Sequence, residues 1–418
     1  MNPRLMQQHI QQTTGKVVTV KDIHNLRAAV TGKHNDVTEV LNQFAATSPD
    51  DDVRLLVDAD NTVRQIMIQT ATMQETFAKF PEVLMLDGTY SINNCGMPLY
   101  AFIVEDGNGS GQLVALFLMS GEGSAQMKTM FEIFRNANQK ITETKTIIID
   151  KDFTEISAIE SVIPHVDIQL CTFHCIKAVQ KKISSLTLDM SSKAQLNSLF
   201  RKLLYAKNDR DFADTASQIK SISSQFDTYL NENWYPVKER WVHHLKNAKT
   251  NLGNTTTNRI ESLFGKLKQI VKSKVSLAVC LRQLLQFVKS TNLQSDFSQF
   301  QSQNKVTYNH RLASELNNYY TVFTRYACAK IAKSVTKSKA TSLCVSGGSD
   351  ASEHVVTNNE TNASYIVRDF AKCSCLYFAS QALPCKHVFA TRTCAGLPLV
   401  GCVGWLRSTV GRTPVFGR

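Results

Sequence analysis

The sequence predicts a mixed α/β protein followed by a small metal-stapled unit, and three observations predict it. Short apolar runs that end in turn residues, such as VLMLDGTYS and KTIIID, read as buried strands. Amphipathic stretches at helical spacing separate the later runs, beginning with SAQMKTMFEIFRNANQKI. One tight Cys/His cluster stands between residues 373 and 387 of a 418-residue chain with only 11 cysteines.

Residues 1–79 read as a helical N-terminal region. VKDIHNLRAAV and VTEVLNQFAA carry apolar positions at helical spacing, and SPDDD is a polar break. VRLLVDADNTVRQIMIQ fits a helix or two short strands around Asp58-Ala59-Asp60-Asn61. From residue 80 the period changes. VLMLDGTYS suits a buried strand; PLYAFIVED and QLVALFLMS, joined across Gly107-Asn108-Gly109-Ser110-Gly111, read as a hairpin. A helix follows, with Met127, Met130, Phe131 and Phe134 along one face. Then come the strand KTIIID, the helix FTEISAIESVIP, the strand DIQLCTFH and the helix IKAVQKKISSL. Antiparallel strands first and strand–helix units after them indicate a mixed sheet covered by helices, the order of RNase H-like folds.

Residues 181–250 hold no convincing strand and read as an all-helical insertion packed by Trp234 and Trp241. TTTNRIESLFGKLKQIVKSK and LAVCLRQLLQFVKS are helical, closing an 80–300 domain. Residues 301–350 are a helical segment and a linker at Val345-Ser346-Gly347-Gly348-Ser349-Asp350. Residues 351–397 form the cysteine-bearing unit, with HVVT and YIVRDF as short strands, and 398–418 an irregular tail.

The net charge of +12 favours polyanionic partners, because each Lys or Arg that neutralises a phosphate releases a condensed counterion. No stretch approaches the roughly 20 apolar residues needed to cross a bilayer, and the opening MNPRLMQQHIQQTTGK carries no apolar leader core. Sparse cysteines point to a reducing compartment rather than a disulfide framework.

Asp87 and Asp150 close strands expected to lie side by side, and Glu261 sits on a later helix. Three acids at one sheet edge suit Mg2+ or Mn2+, because hard cations take oxygen ligands and phosphodiester chemistry commonly uses two of them. Each acid also has a local reading. Asp87-Gly88-Thr89 fits a strand-ending turn. Asp150-Lys151-Asp152 fits a helix cap. Glu261 fits a capping box with Asn258. Cys171 and His174, two residues apart, lack a partner pair for zinc. A buried thiol with a hydrogen-bonded imidazole is the stronger local reading, and His174 is also placed to orient a phosphate.

Together MLDGTY, IIIDKDFTEISAIESVIP, LCTFHCIKAVQKK, NWYPVKERWV and TTTNRIESLFGKLK resemble the MULE (Mutator-like element) transposase domain, most closely the SWIM zinc-finger proteins of animals derived from such transposases. The resemblance covers most of residues 15–397. It implies that Asp87, Asp150 and Glu261 occupy the DDE positions and that Cys171 and His174 match the family's C-x2-H motif. Ile149 stands where the family often has Thr, Asp152 competes with Asp150, and no N-terminal finger is visible.

Cys373, Cys375, Cys385 and His387 give C-x-C-x9-C-x-H. Three thiolates and one imidazole satisfy tetrahedral Zn2+ with no open position, which makes the site structural. The spacing matches the SWIM finger. Lys266, Lys268, Lys272 and Lys274 decorate the helix after Glu261. They are candidates for holding a DNA backbone, against the commoner reading of a solvated face. The expected function is a zinc-binding, transposase-derived nuclear factor that binds DNA, or protein through the SWIM module. The alternative is an active Mg2+- or Mn2+-dependent DDE enzyme. A homo-oligomer is compatible with this reading and a membrane is not.

Overall fold

The computed structural model describes residues 34–48, 50–89, 92–271, 274–304, 319, 323–350 and 352–399. Helix α1 (His34–Thr47) contains the expected VTEVLNQFAA segment; VKDIHNLRAAV lies outside the described residues. Strands β1 (Asp52–Val57) and β2 (Val63–Gln69) follow, then α2 (Ala71–Lys79). The helical reading of 1–79 is therefore corrected over residues 52–69, where VRLLVDADNTVRQIMIQ takes the two-strand alternative and forms a hairpin. Asp58 Oδ1 accepts from the Asp60 and Thr62 amides at 3.1 and 2.9 Å, and Asn61 takes the left-handed conformation (φ 60°) that Asn tolerates. In β2, Ile66 and Ile68 enter one core and Met67 the other. Burial on both faces erases the alternation that marks a half-exposed strand.

Strands β3 (Val83–Thr89), β4 (Leu99–Glu105) and β5 (Gly111–Met119) form a meander, and helix α3 (Ser124–Ala137) crosses behind it. Then β6 (Thr146–Ile149), α4 (Phe153–Val162), β7 (Asp167–Leu170) and α5 (Thr172–Ser184) alternate. The seven strands run in the order β1-β2-β5-β4-β3-β6-β7. Pairing is antiparallel except that β6 lies parallel to both β3 and β7. The sheet thus starts at Asp52, ahead of the domain boundary expected at residue 80.

Strand residues alternate between two cores. Leu84, Leu86, Phe102, Phe117, Ile147 and Ile149 face α3, α4 and α5, where Phe102 meets Phe134 edge-on at 4.7 Å. Val83, Met85, Ala101, Ile103 and Ile148 face α1 and two later helices, α11 and α12.

The insertion is helical as expected: α6 (Met190–Leu204), α7 (Asp209–Ile222), α8 (Ser224–Asn233), α9 (Lys238–Trp241) and α10 (His243–Lys246). Trp234 and Trp241 are buried and perpendicular at 5.7 Å. The Trp241 indole donates to the Trp234 carbonyl at 2.8 Å, and Phe200 stacks on Trp241 at 5.5 Å. The bulky indoles fill the space between the short helices and join the core on that face of the sheet.

Helices α11 (Asn258–Ile270) and α12 (Leu277–Asn304) cover the second face, and α13 (Arg325–Ala340) leads into the C-terminal unit. There β8 (Leu343–Gly347), β9 (Glu353–Asn358), β10 (Ser364–Arg368) and β11 (Lys372–Cys373) make a second sheet, followed by α14 (Leu376–Gln381) and α15 (Lys386–Cys394). The expected linker at residues 345–350 is corrected over its first half: Val345, Ser346 and Gly347 pair with Val356, Val355 and His354. Backbone pairing on a largely exposed edge strand does not demand the apolar residues that a sequence reading looks for. The irregular tail expected over 398–418 falls almost wholly outside the described residues.

Trp241→Ala is expected to cost about 3–5 kcal/mol of unfolding free energy, the range for removing a fully buried indole. Urea denaturation of the whole chain measures it.

Candidate active site and zinc centre

Parallel register builds the acidic rim. Met85 on β3 pairs with Ile148 on β6, and two residues further on are Asp87 and Asp150. Side chains alternate along strands. Asp87 and Asp150 therefore take the parity of Met85 and Ile148, which face the core formed with α11. Helix α11 docks there through Ile260, Phe264 and Leu267, and its first turn carries Glu261. His174 arrives from a third element. The expected strand DIQLCTFH is corrected here: β7 stops at Leu170, Cys171 is the N-cap of α5, and His174 lies in the first helical turn.

One ligand atom each from Asp87, His174 and Glu261 lie within 4.8 Å of one another. His174 Nε2 is 3.4 Å from Glu261 Oε1, and Nδ1 is 3.9 Å from Asp150 Oδ1. The tight group is thus two acids and an imidazole. Asp150 flanks it, reaching it through His174. The local alternatives for the acids are resolved separately. Asp152 is the cap of α4, accepting from the Thr154 and Glu155 amides at 2.7 and 3.1 Å, and Asp150 makes no such contact with the helix. Asp87 lies inside β3, which continues to Thr89, so it is not a strand-ending turn. Thr257, not Asn258, is the N-cap of α11, and no side-chain cap bond forms.

Thr257 is occupied elsewhere. Its amide and hydroxyl approach Cys171 Sγ at 3.3 and 3.4 Å. Burial opposes ionisation of the Cys171 thiol, but donation from His174 and Thr257 outweighs it and lowers the pKa. The Cys171 sulfur in turn is the main cause that lifts His174 to about 9, with Asp150 and Asp87 adding to it against burial. Burial raises Asp87 to about 6, opposed by the His174 cation and reinforced by Asp150 and Glu261. Glu155, one turn into α4, is raised to about 8, mainly by burial. Nothing in the sequence marked Glu155. Its spacing from Asp152 places it on the inner face of α4, and only the packed core shows how dry that face is.

The two carboxyls hold protons first because they are buried and second because negative charge is crowded there, and His174 holds its proton first through Cys171. Asp87, His174 and Glu261 each offer one donor atom close enough to the others to hold a metal ion, and the imidazole would have to lose its proton to bind one. Of the lysines singled out from sequence, Lys266 and Lys268 are exposed on α11, Lys274 is exposed just beyond it, and Lys272 lies outside the described residues.

The second centre is closed. Cys373 sits on β11, Cys375 caps α14, Cys385 caps α15, and His387 is in the first turn of α15. All four are buried, with ligand atoms within 4.8 Å of one another. His387 Nδ1 is 3.6 Å from both Cys373 Sγ and Cys385 Sγ. Tetrahedral zinc with usual bond lengths sets nitrogen and sulfur about 3.5 Å apart. The donors present therefore fit the ion without rearrangement. Burial first, then the neighbouring sulfurs, push the Cys385 thiol well up, so loading zinc displaces protons. Tyr365 stacks on the His387 ring at 4.3 Å.

The two centres share a loop. Residues 250–257 run from the insertion to α11. Thr250 donates to the Ala379 carbonyl at 3.3 Å, and the Asn251 and Leu252 amides donate to Ser380 O at 3.1 and 2.7 Å. Lys330 Nζ reaches Leu252 O at 3.2 Å and Gln381 Oε1 at 2.7 Å. On the other side, Thr255 O accepts from the Thr172 amide at 2.8 Å and Asn251 donates to Gln169 at 3.1 Å. Helix α14 of the zinc unit therefore braces the segment that delivers Glu261. A polar stretch, TNLGNTTTN, was the only trace of this in the sequence.

Two family models match the chain. The RNaseH-like domain of zinc finger SWIM domain-containing protein 1/3 matches residues 42–169, and the SWIM zinc finger matches residues 357–391. The first match begins ahead of β1, in accord with a sheet that starts at Asp52. The second encloses all four zinc donors.

Asp87, Glu155 and His174 all bind protons more tightly folded than unfolded. Each therefore contributes stability at low pH that is lost as pH rises, for Asp87 between 3.8 and about 6 and for His174 between 6.5 and about 9. Asp87→Asn should stabilise the cation-free protein above pH about 6 by about 1–2 kcal/mol, read from pH-dependent thermal melts. Cys385→Ser should abolish zinc retention, measured by metal analysis. It should also speed hydrogen exchange at the Asn251 and Leu252 amides, which lose their bracing by α14. The chain is a SWIM-type zinc finger protein, in which an RNase H-like domain precedes a zinc module with a buried Cys3His cluster.

Proposed function

We propose that the protein is a nuclear DNA-binding factor whose RNase H-like domain engages the phosphate backbone at the Asp87–His174–Glu261 rim. The observation that carries this reading is the meeting of those three side chains within 4.8 Å, beside Asp150 and at the start of the helix that carries the exposed Lys266 and Lys268 further along. Carboxylates alone repel phosphate. Mg2+ or Mn2+ at such a rim would supply positive charge to phosphate oxygens and favour in-line attack at phosphorus. Asp87, Asp150 and Glu261 offer the oxygen donors. His174 neutralises part of their charge while protonated and releases its proton when a cation replaces it. The lysines hold flanking phosphates without reading bases. The zinc module fixes the loop behind Glu261 and presents a further surface to DNA or protein.

Strand cleavage and transfer by the same rim is the second reading. It is favoured by Asp152 already serving as a helix cap, which leaves Asp87, Asp150 and Glu261 available to cations. Fluorescence anisotropy with duplex DNA, over a salt series and with Mg2+, Mn2+ or chelator, tests the binding reading. Affinity should fall steeply with salt and rise with the divalent ion, and Asp87→Ala should remove the ion-dependent part. DNA affinity that ignores both salt and cation would overturn the proposal. Nicking of supercoiled DNA by the parent chain, lost in Asp87→Ala, would establish the enzyme.

A further inference from the structure

We infer that Phe153 and Phe173 form a stacking platform for unpaired nucleobases beside the acidic rim, so that the DNA segment seated there is single-stranded or locally opened. This deepens the DNA-binding reading and rests on it.

Phe153 is 62% exposed and Phe173 is 40% exposed. Lone exposed apolar side chains are ordinary, but the placement of these two is not. Phe153 opens α4 and Phe173 lies in the first turn of α5. The two helices leave the C-terminal ends of adjacent parallel strands, where Ile149 pairs with Leu170. That is the sheet edge at which Asp150 and His174 meet. The Phe173 ring touches the His174 ring, centroids 5.4 Å apart. Phe153 follows Asp150 by three positions. Both rings therefore stand on helix-start turns at the end of the sheet that carries the rim, Phe173 directly against His174.

Each ring also carries a cation. Lys151 Nζ lies 4.6 Å from the Phe153 centroid and 4.9 Å from that of Trp234; Lys177 Nζ lies 5.9 Å from the Phe173 centroid. Trp234 is buried, so Lys151 sits on the protein side of Phe153 and leaves the outer face to solvent. Exposed π-faces interleaved with ammonium groups match what single-stranded nucleic acid offers, flat bases alternating with phosphates. A closed duplex hides its base faces and has no use for such rings. A protein partner would use the rings only as apolar surface, which any side chain of similar size could replace.

The test uses the zinc-loaded full chain with a single-stranded oligonucleotide bearing 2-aminopurine, the matching blunt duplex, and Ca2+ as the divalent ion. Stacking quenches 2-aminopurine, so the parent chain should quench it on binding. Phe153→Leu with Phe173→Leu should abolish the quench and weaken single-strand binding by about tenfold or more, while duplex affinity changes little. Phe153→Trp with Phe173→Trp should retain both. An unchanged melting temperature in each variant shows that the fold is intact, as expected for exposed positions. Quenching and affinity that survive the Leu pair would overturn the platform, as would duplex binding by the parent chain with no single-strand quench. Neither result touches the DNA-binding reading. Failure of the parent chain to bind either DNA form would sink that reading and the platform with it.

Discussion

Parallel pairing of β3 with β6 brings two carboxylates to one sheet edge and turns both toward the face covered by α11. The pairing is held by burial on both sides: Leu84, Leu86, Ile147 and Ile149 go into one core, Val83, Met85 and Ile148 into the other. A slip of one residue in either strand would reverse that strand's assignments and send the acids to opposite faces. The register that the apolar residues enforce for stability is therefore the one that assembles the rim. Glu261 reaches it because the stripe of Ile260, Phe264 and Leu267 docks α11 on the same face.

Crowding acids at a partly dry edge opposes folding. The chain answers with protons and with a cation of its own, since Asp87 and Glu155 take up protons well above the ordinary carboxylate range and His174 is held as an imidazolium between Asp150 and Glu261. The Cys171–Thr257 contact joins this device to the start of α11, so the imidazole and the Glu261 turn are tied to the same sulfur.

Zinc enters the account as architecture. Its four donors close a small unit whose own apolar core is slight, and that unit leans on residues 250–252 through α14. Lys330 of α13 adds two further bonds to the seam. The metal site and the acidic rim are thus neighbours on one loop, although more than a hundred residues separate Glu261 from Cys373.

By itself the sequence determined the strand–helix order from β3 to α5, the helical insertion with its two tryptophans, and the zinc donors. Apolar period and Cys/His spacing are local signals, and each was sufficient where burial was one-sided or the cluster dense. It left residues 52–69 open between a helix and two strands, because a strand buried on both faces, as Val63–Gln69 is, loses its alternation. It also missed β8, because an exposed edge strand is held by backbone pairing that leaves no mark in side chains. The three acids were legible as candidates, but not that His174 enters the tight group while Asp150 flanks it, nor that Asp152 is a cap. Those outcomes were decided by register, helix docking and the drying of one sheet edge. They depend on contacts between segments far apart in the chain, and no local pattern of residues encodes the distance between them.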